Sequence, residues 1–206
     1  MKKLKRSRKR RQKRKISKIT RIIFTILGIV LLGDIIGALM YLRQPLEVQT
    51  NLMQYMAAGN ALSFFQIFWR QFLYQLTIWI MGLSIIGNVV NLFLVFSRGV
   101  SAGFNLAILV GEVGGQTILL WLLQYTLILC TTILSVYFSL RFAYLMIKSL
   151  VMKKYKLIKK HLKLYATQFV VIVLLTTFTS MLSAVTTPMI RSQVVEVDRG
   201  VYLSSY

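Results

Sequence analysis

Long apolar runs, separated by short polar segments, dominate the pattern of hydrophobic positions along this chain. A helix needs about 20 apolar residues to cross a hydrocarbon core of about 30 Å, so these runs predict membrane spans. We expect five spans, at residues 22–41, 73–97, 100–113, 116–139 and 165–188. The third run is short, because fourteen residues rise only about 21 Å as a helix. It either spans a locally thinned bilayer, continues into the residues after 110, or is partly re-entrant.

Small residues recur within these runs at helical spacing. In and directly beside the third run they occupy every fourth position: Gly99, Gly103, Ala107, Gly111 and Gly115. The first two runs add Gly33, Gly37, Gly82 and Gly87. A ridge of small residues lets another helix approach closely, which matters in lipid because apolar burial there gives almost no driving force. We interpret these glycines and the alanine as helix-packing positions, either within the chain or towards a second copy or a partner.

A few polar side chains fall inside the apolar runs. Asp34 lies between Gly33 and Gly37, where an ionised carboxylate costs about 2.5 to 3.5 kcal/mol on insertion scales. In the second run the polar residues share one stripe: Thr77, Ser84, Asn88 and Asn91. We expect this stripe to face other helices and to form hydrogen bonds with them. The alternative is a polar lining for a transport path.

Glu112 is the second acidic residue predicted at membrane depth or at its edge. With the glycines that follow it, Glu112 predicts a break after the third run. Asp34 and Glu112 either pair with Arg43, Arg98 or the polar stripe, or relay protons.

The distribution of positive charge predicts the orientation. The net charge is +21, and of 26 Lys and Arg residues thirteen lie in 1–21 and eight in 141–163. Because basic segments stay on the cytoplasmic side, we place the N-terminus, Arg98 and residues 148–163 inside. Residues 43–70 and the C-terminus then lie outside. A four-span alternative with a re-entrant third run would move the basic loop 148–163 outside, against this rule.

The domain organisation follows from these spans. We predict a single transmembrane helical domain at residues 22–190, between a polybasic cytoplasmic tail (1–21) and an extracytoplasmic tail (191–206). The basic tail should bind the anionic inner leaflet, and without interleaved aromatic residues we do not expect it to bind nucleic acid. Residues 43–70 are rich in aromatic residues and Met and predict interfacial helices. The alternative is a docking surface for an extracytoplasmic partner.

Residues that could carry catalysis are sparse. His161 is the only histidine, Cys130 is the only cysteine, and Ser84 lies in GLSIIG rather than in a GxSxG motif. Nucleophilic catalysis needs a base beside the nucleophile, and a zinc site needs more ligands than these. The segment GEVGGQT lacks the Lys of a phosphate-binding loop. We therefore expect no enzyme activity, cofactor or metal.

The run WIMGLSIIGNVVNLFLVFSRGVSAGFNLAILV, at residues 79–110, resembles the stage II sporulation protein M family. In that family a glycine-rich span ends in Phe, a basic residue and Gly, and continues through a Gly-Phe dipeptide. The matching residues here are Gly82, Gly87, Phe96, Arg98, Gly99, Gly103 and Phe104. A weaker match extends over residues 22–139.

This resemblance implies a multi-pass scaffold of a bacterial cytoplasmic membrane. Sporulating members of the family recruit peptidoglycan-degrading enzymes, a lytic transglycosylase and an amidase, for septal wall thinning and engulfment. We therefore expect membrane or cell-wall proteins, such as peptidoglycan hydrolases, as partners, and a homo-oligomer remains open. The alternative function is a small-permease or immunity-type transport component of an export system.

Overall fold

The computed structural model is helical throughout the part of the chain that it describes. It describes the backbone of residues 2–58, 63–112, 115–152 and 155–204, and the side chains of residues 19–52, 63–84, 86–110, 115, 117–152, 158–190 and 192. The helices within these ranges are α1 (Lys2–Leu42), α2 (Leu46–Ala58), α3 (Phe64–Met81), α4 (Ile85–Glu112), α5 (Gly115–Val151) and α6 (Tyr155–Ser204). The all-α prediction is confirmed for the described residues.

Within the described residues, four helices are long and apolar enough to cross a membrane. Their apolar stretches are Ile19–Leu42 in α1, Ile86–Val110 in α4, Thr117–Val151 in α5 and Ile158–Ile190 in α6. The exposed surface of this bundle is rich in large apolar side chains, as lipid contact requires. The prediction of a membrane protein agrees with these helices.

The predicted connection at Arg98 and Gly99 is wrong. Both residues lie inside α4, a single helix of 28 residues that rises about 42 Å and includes the predicted third run as far as Glu112. That run is therefore neither a short span of its own nor a re-entrant segment. Arg98 does not need to leave the bundle, because its guanidinium lies over the ring of Tyr74.

The chain turns instead at residues 82–84, inside the predicted second span. The Ser84 hydroxyl accepts a hydrogen bond from the Gly87 amide at 2.8 Å and so satisfies a free N–H at the start of α4. Gly87 fits this turn because a Cβ there would overlap the Met81 carbonyl oxygen. The prediction of one helix over residues 73–97 is therefore wrong.

The interfacial region predicted at residues 43–70 contains α2 and the first part of α3. Helix α3 begins with a capping box, in which the Ser63 hydroxyl accepts from the Gln66 amide and Gln66 Oε1 accepts from the Ser63 amide. Its 18 residues rise about 27 Å, almost the thickness of a hydrocarbon core.

The first and last helices extend beyond the predicted spans into the polar ends of the chain. Helix α1 includes most of the basic tail and α6 continues past Pro188 to Ser204, so Pro188 does not end the last helix. Residues 148–163 form the end of α5 and the start of α6, with 153–154 outside the described residues.

Helices α1 and α4 run in the same direction. Val30 of α1 packs against Gly99, and further along both helices the ring of Tyr41 meets Phe104 edge-on at 5.5 Å. Residue numbers therefore rise in the same direction along both helices, which makes the pair parallel.

Helix α3 runs against α4. The Tyr74 hydroxyl donates to the Leu94 carbonyl oxygen at 2.9 Å, whereas Asn91 Nδ2 donates to the Ile78 carbonyl oxygen at 3.0 Å. As residue numbers rise along α3, those of the contacting residues on α4 fall, so the two helices are antiparallel. Between the two parallel helices α1 and α4, α3 carries the chain back along the bundle.

Candidate functional site

Glycines bring the backbones of α1 and α4 into direct contact. A Cβ on Gly33 would lie 2.5 Å from the Phe96 carbonyl oxygen, and one on Gly37 would overlap the Val100 carbonyl oxygen. Both distances are too short for a side chain, so only glycine allows this approach. The GxxxG pair of the first run therefore packs within the chain.

The other side of the contact is formed by Gly99 and Gly103 of α4. A Cβ on Gly99 would lie 3.2 Å from the Asp34 amide nitrogen, and one on Gly103 would overlap the Asp34 carbonyl oxygen. We call the contact of Gly33 and Gly37 with Gly99 and Gly103 the glycine seam. It places the backbone of Asp34 directly on α4.

The Asp34 carboxylate faces a tyrosine of a third helix. The Tyr125 hydroxyl, from α5, donates a hydrogen bond to Asp34 Oδ1 at 3.0 Å. A carboxylate in a bundle is tolerated when a donor satisfies it, and a tyrosine hydroxyl is such a donor. The sequence predicted that Asp34 needs a partner but did not identify Tyr125.

Arg98 lies near both Tyr74 and Tyr125. Its guanidinium carbon is 4.4 Å from the centroid of the Tyr74 ring, and Arg98 lines the same cavity as Tyr125. Aromatic faces attract cations most strongly where water is excluded. Asp34, Tyr74, Arg98 and Tyr125 form what we call the Arg98 cluster, which joins α1, α3, α4 and α5.

Two cavities adjoin Arg98. One, of about 180 Å³, lies between α4 and α5 and is lined by Arg98, Ser101, Ala102, Asn105, Trp121, Gln124, Tyr125 and Ile128. The other, of about 290 Å³, lies between α3 and α4 and is lined by Arg70, Gln71, Tyr74, Leu94, Ser97, Arg98 and Ser101. Arg98 and Ser101 line both cavities, so the Arg98 guanidinium is next to each of them.

A second polar network lies near the turn between α3 and α4. The Ser139 hydroxyl of α5 donates to Asn88 Oδ1 at 2.9 Å and accepts from Asn91 Nδ2 at 2.9 Å. Two predicted stripe residues thus form hydrogen bonds with another helix. Gly82 adjoins this network, since a Cβ there would overlap the hydroxyls of Ser139 and Tyr165.

The remaining stripe residues lie elsewhere. Thr77 is on α3, is exposed, and donates to the Leu73 carbonyl oxygen of its own helix, while Ser84 caps α4. The four residues do not share one helix face, because the turn at residues 82–84 separates Thr77 from the others.

The far end of the small-residue ridge lies outside the glycine seam. Ala107 is half-buried on α4, Gly115 begins α5 with open space around it, and Gly111 and Glu112 end α4 with side chains outside the described set. Helix α4 ends at Glu112 and α5 begins at Gly115, where the sequence predicted a break.

Sequence reasoning missed a third set of contacts, between α3 and α6. Gln71 Oε1 accepts from the hydroxyls of Thr179 at 3.0 Å and Ser180 at 3.1 Å. Gln75 Nε2 donates to the Thr132 hydroxyl of α5 at 3.4 Å. The spacing of Gln71 and Gln75, one helical turn apart, was the available signal for a helix with a polar inner face.

Other chemistry is not assembled in the described part of the chain. There, no three His, Cys, Asp or Glu side chains lie close enough to hold a metal ion. Cys130 is exposed on α5, and His161 lies on α6.

Within the described residues, the helices and their contacts define a helical membrane protein in which a half-buried arginine, a carboxylate and several interhelical hydrogen bonds lie between the helices. The family model of SpoIIM, stage II sporulation protein M, matches residues 7–186. The chain belongs to this family, and the resemblance found at residues 79–110 is confirmed. No curated protein and no solved structure matches the chain.

Proposed function

We propose that this protein is a non-enzymatic, multi-pass scaffold of a bacterial cytoplasmic membrane that recruits peptidoglycan hydrolases. Membership of the SpoIIM family supports a role in sporulation, and the apolar helices support a membrane location. The process served is sporulation engulfment or a related remodelling of the cell envelope.

The orientation in this proposal has five crossings. Helices α1 and α4 are parallel and α3 is antiparallel to α4, so in this proposal α3 brings the chain back across the membrane. Helix α3 is not among the four helices that are apolar enough to be candidate spans. With the N-terminus cytoplasmic, the turn at 82–84 and the basic residues 148–163 lie inside. Residues 43–63 and the C-terminus lie outside, in agreement with the rule that basic segments stay inside.

The observation that carries the recruiting role is a row of aromatic side chains at the beginning of α3. Phe65 is 66% exposed and stacks on Trp69, which is 47% exposed, with ring centroids 6.2 Å apart. In the proposed orientation this row lies at the outer surface, where a cell-wall enzyme could contact it. Aromatic residues are the side chains that contribute most to protein interfaces.

Photo-crosslinking tests this role. A photoreactive residue at Phe65 should crosslink to a peptidoglycan hydrolase, identified by mass spectrometry and by release of muropeptides from isolated wall. Val185 is the control position, because it is 62% exposed on α6 at a similar distance along the bundle. A hydrolase captured equally from both positions, or from neither, would contradict the proposal.

The second candidate function is a transport component of an export system. The Arg98 cluster and its two cavities favour it, because charged residues inside a membrane bundle are found along substrate and proton pathways. Proton flux into proteoliposomes that disappears in Asp34→Asn would support transport. If proteoliposomes that contain the wild-type chain show no proton flux, the transport function is contradicted and the scaffold function is favoured.

A further inference from the structure

We propose that the cavity between Arg70 and Arg98 binds a phosphate-type oxyanion, either from the headgroup of a lipid or free in solution. This inference is independent of the recruiting role proposed above, and only its lipid-headgroup form rests on the proposed membrane crossing of α3. It rests on the charges, the donors and the position of the cavity.

The charge of the site calls for an anion. Arg70 and Arg98 line the same cavity, and no carboxylate is among the residues that line it. Two cations beside one cavity repel each other, and an anion between them would relieve that repulsion. Asp34 compensates one positive charge, but it is hydrogen-bonded to Tyr125. Among these three groups, one positive charge therefore remains for a ligand to neutralise.

The lining supplies hydrogen-bond donors that suit phosphate oxygens. Arginine guanidinium groups bind phosphate with two parallel N–H bonds, and Arg98 is held in place over the Tyr74 ring. Ser97 adds a hydroxyl donor and Gln71 a second amide N–H to the same lining, whereas the Ser101 hydroxyl already donates to the Ser97 carbonyl oxygen and Gln71 Nε2 also donates to Ser183. A cavity of about 290 Å³ has room for a phosphate group with part of a glycerol or a few waters.

The position of the cavity allows a lipid headgroup to reach it. Arg70 is exposed and lies six residues into α3, about 9 Å of helix rise from Phe64. The exposed aromatic residues Phe65 and Trp69 lie at the same end of α3, and aromatic residues mark the headgroup level of a bilayer. Arg70 would therefore meet a headgroup at the edge of the bilayer, with Arg98 deeper in the same cavity.

The test uses the full chain, purified in a neutral detergent and washed in high salt to remove anions bound to its exposed basic residues. Two probes are compared: inorganic phosphate, by calorimetry, and phosphatidylglycerol against phosphatidylcholine, by native mass spectrometry. We expect at least one anionic probe to bind the wild type. Arg70→Gln and Arg98→Gln should each weaken that probe about tenfold or more, which is the usual effect of losing a hydrogen bond to a charged group.

Matched variants separate the site from general basicity and from misfolding. Arg141→Gln removes an exposed arginine of α5 that lines neither cavity, and its affinity should equal that of the wild type. Arg98→Lys keeps the charge without the guanidinium fork and should retain part of the binding. If Arg98→Gln fails to fold, the exposed Arg70→Gln decides.

The outcomes assign the ligand or overturn the proposal. If Arg70→Gln and Arg98→Gln weaken the binding of phosphatidylglycerol but not of phosphate, the ligand is a lipid headgroup. If they weaken the binding of phosphate but not of phosphatidylglycerol, the ligand is a free oxyanion. If the wild type binds neither probe, or if Arg70→Gln and Arg141→Gln bind both probes as tightly as the wild type, the cavity is not an oxyanion site.

Discussion

Single residues determine how closely the helices approach. Gly33, Gly37 and Asp34 are recognisable in the sequence as a GxxxG pair with a carboxylate between its glycines. Their packing partners could not be predicted, because a ridge of small residues fits any helix that has a similar ridge. The structure pairs them with Gly99 and Gly103 of the same chain.

Gly103 is the most sensitive position of the glycine seam. In Gly103→Ala the new methyl group would overlap the Asp34 carbonyl oxygen, so α1 and α4 must separate. We expect the free energy of unfolding in mixed micelles to fall by about 1–3 kcal/mol, as in overpacked cores. Gly28→Ala is the control, because nothing lies within 4 Å of its Cβ position. Equal stability of the two variants would contradict the seam.

The hydroxyl of Tyr125 can be tested separately from its ring. Tyr125→Phe removes the donor to Asp34 Oδ1 and leaves the aromatic packing on Trp121 in place. We expect a loss of about 0.6 to 2 kcal/mol in the same unfolding measurement, the range found for hydrogen bonds between membrane helices. Tyr144→Phe, at an exposed position on α5, should change stability by less than about 0.5 kcal/mol. Unchanged stability in Tyr125→Phe would mean that the Asp34 contact contributes nothing.

At the scale of the helices, the sequence predicted the existence of the apolar segments better than their boundaries. Arg98 next to Gly99 looked like a connection, because a charge beside a glycine interrupts an apolar run. Tyr74 accommodates that charge inside the bundle, so the helix continues. The true turn at residues 82–84 lies within an apolar run and offers only glycines and Ser84 as signals.

Helix α3 shows why a hydropathy criterion can fail to select a helix that packs inside this bundle. Its glutamines lower its mean hydropathy, yet Gln71 and Gln75 face α6 and α5 rather than lipid. Leu73 and Ile80 occupy its exposed side. A helix with polar residues on its inner face can therefore pack in a membrane bundle without a continuous apolar sequence.

The contact of α3 with α6 gives a test of this arrangement. Gln71→Leu removes the acceptor for Thr179 and Ser180, although both hydroxyls also bond to carbonyls of their own helix. We therefore expect a moderate loss of about 1–2 kcal/mol in unfolding free energy. Thr77→Val is the control on the same helix, because the Thr77 hydroxyl is exposed and bonds only to Leu73. If both variants lose the same amount, Gln71 does not hold α3 to α6.

At the scale of the whole molecule, we propose that α3 crosses the membrane, because α1 and α4 run parallel and the chain must return between them. The family and the all-helical class could be predicted from the sequence, because glycine spacing and hydropathy are local signals. The Arg98 cluster could not, because it combines residues of four helices that lie far apart in the chain.

Cysteine accessibility in intact cells tests this claim most directly. In a Cys130→Ser background, single cysteines replace Asn51 of α2 and Ser84 of the turn between α3 and α4, both exposed. We expect a membrane-impermeant maleimide to label the cysteine at position 51, and to label the one at position 84 only after the cells are opened. Labelling of both positions from the outside would place the whole of α3 on one face of the membrane and contradict the parallel arrangement of α1 and α4.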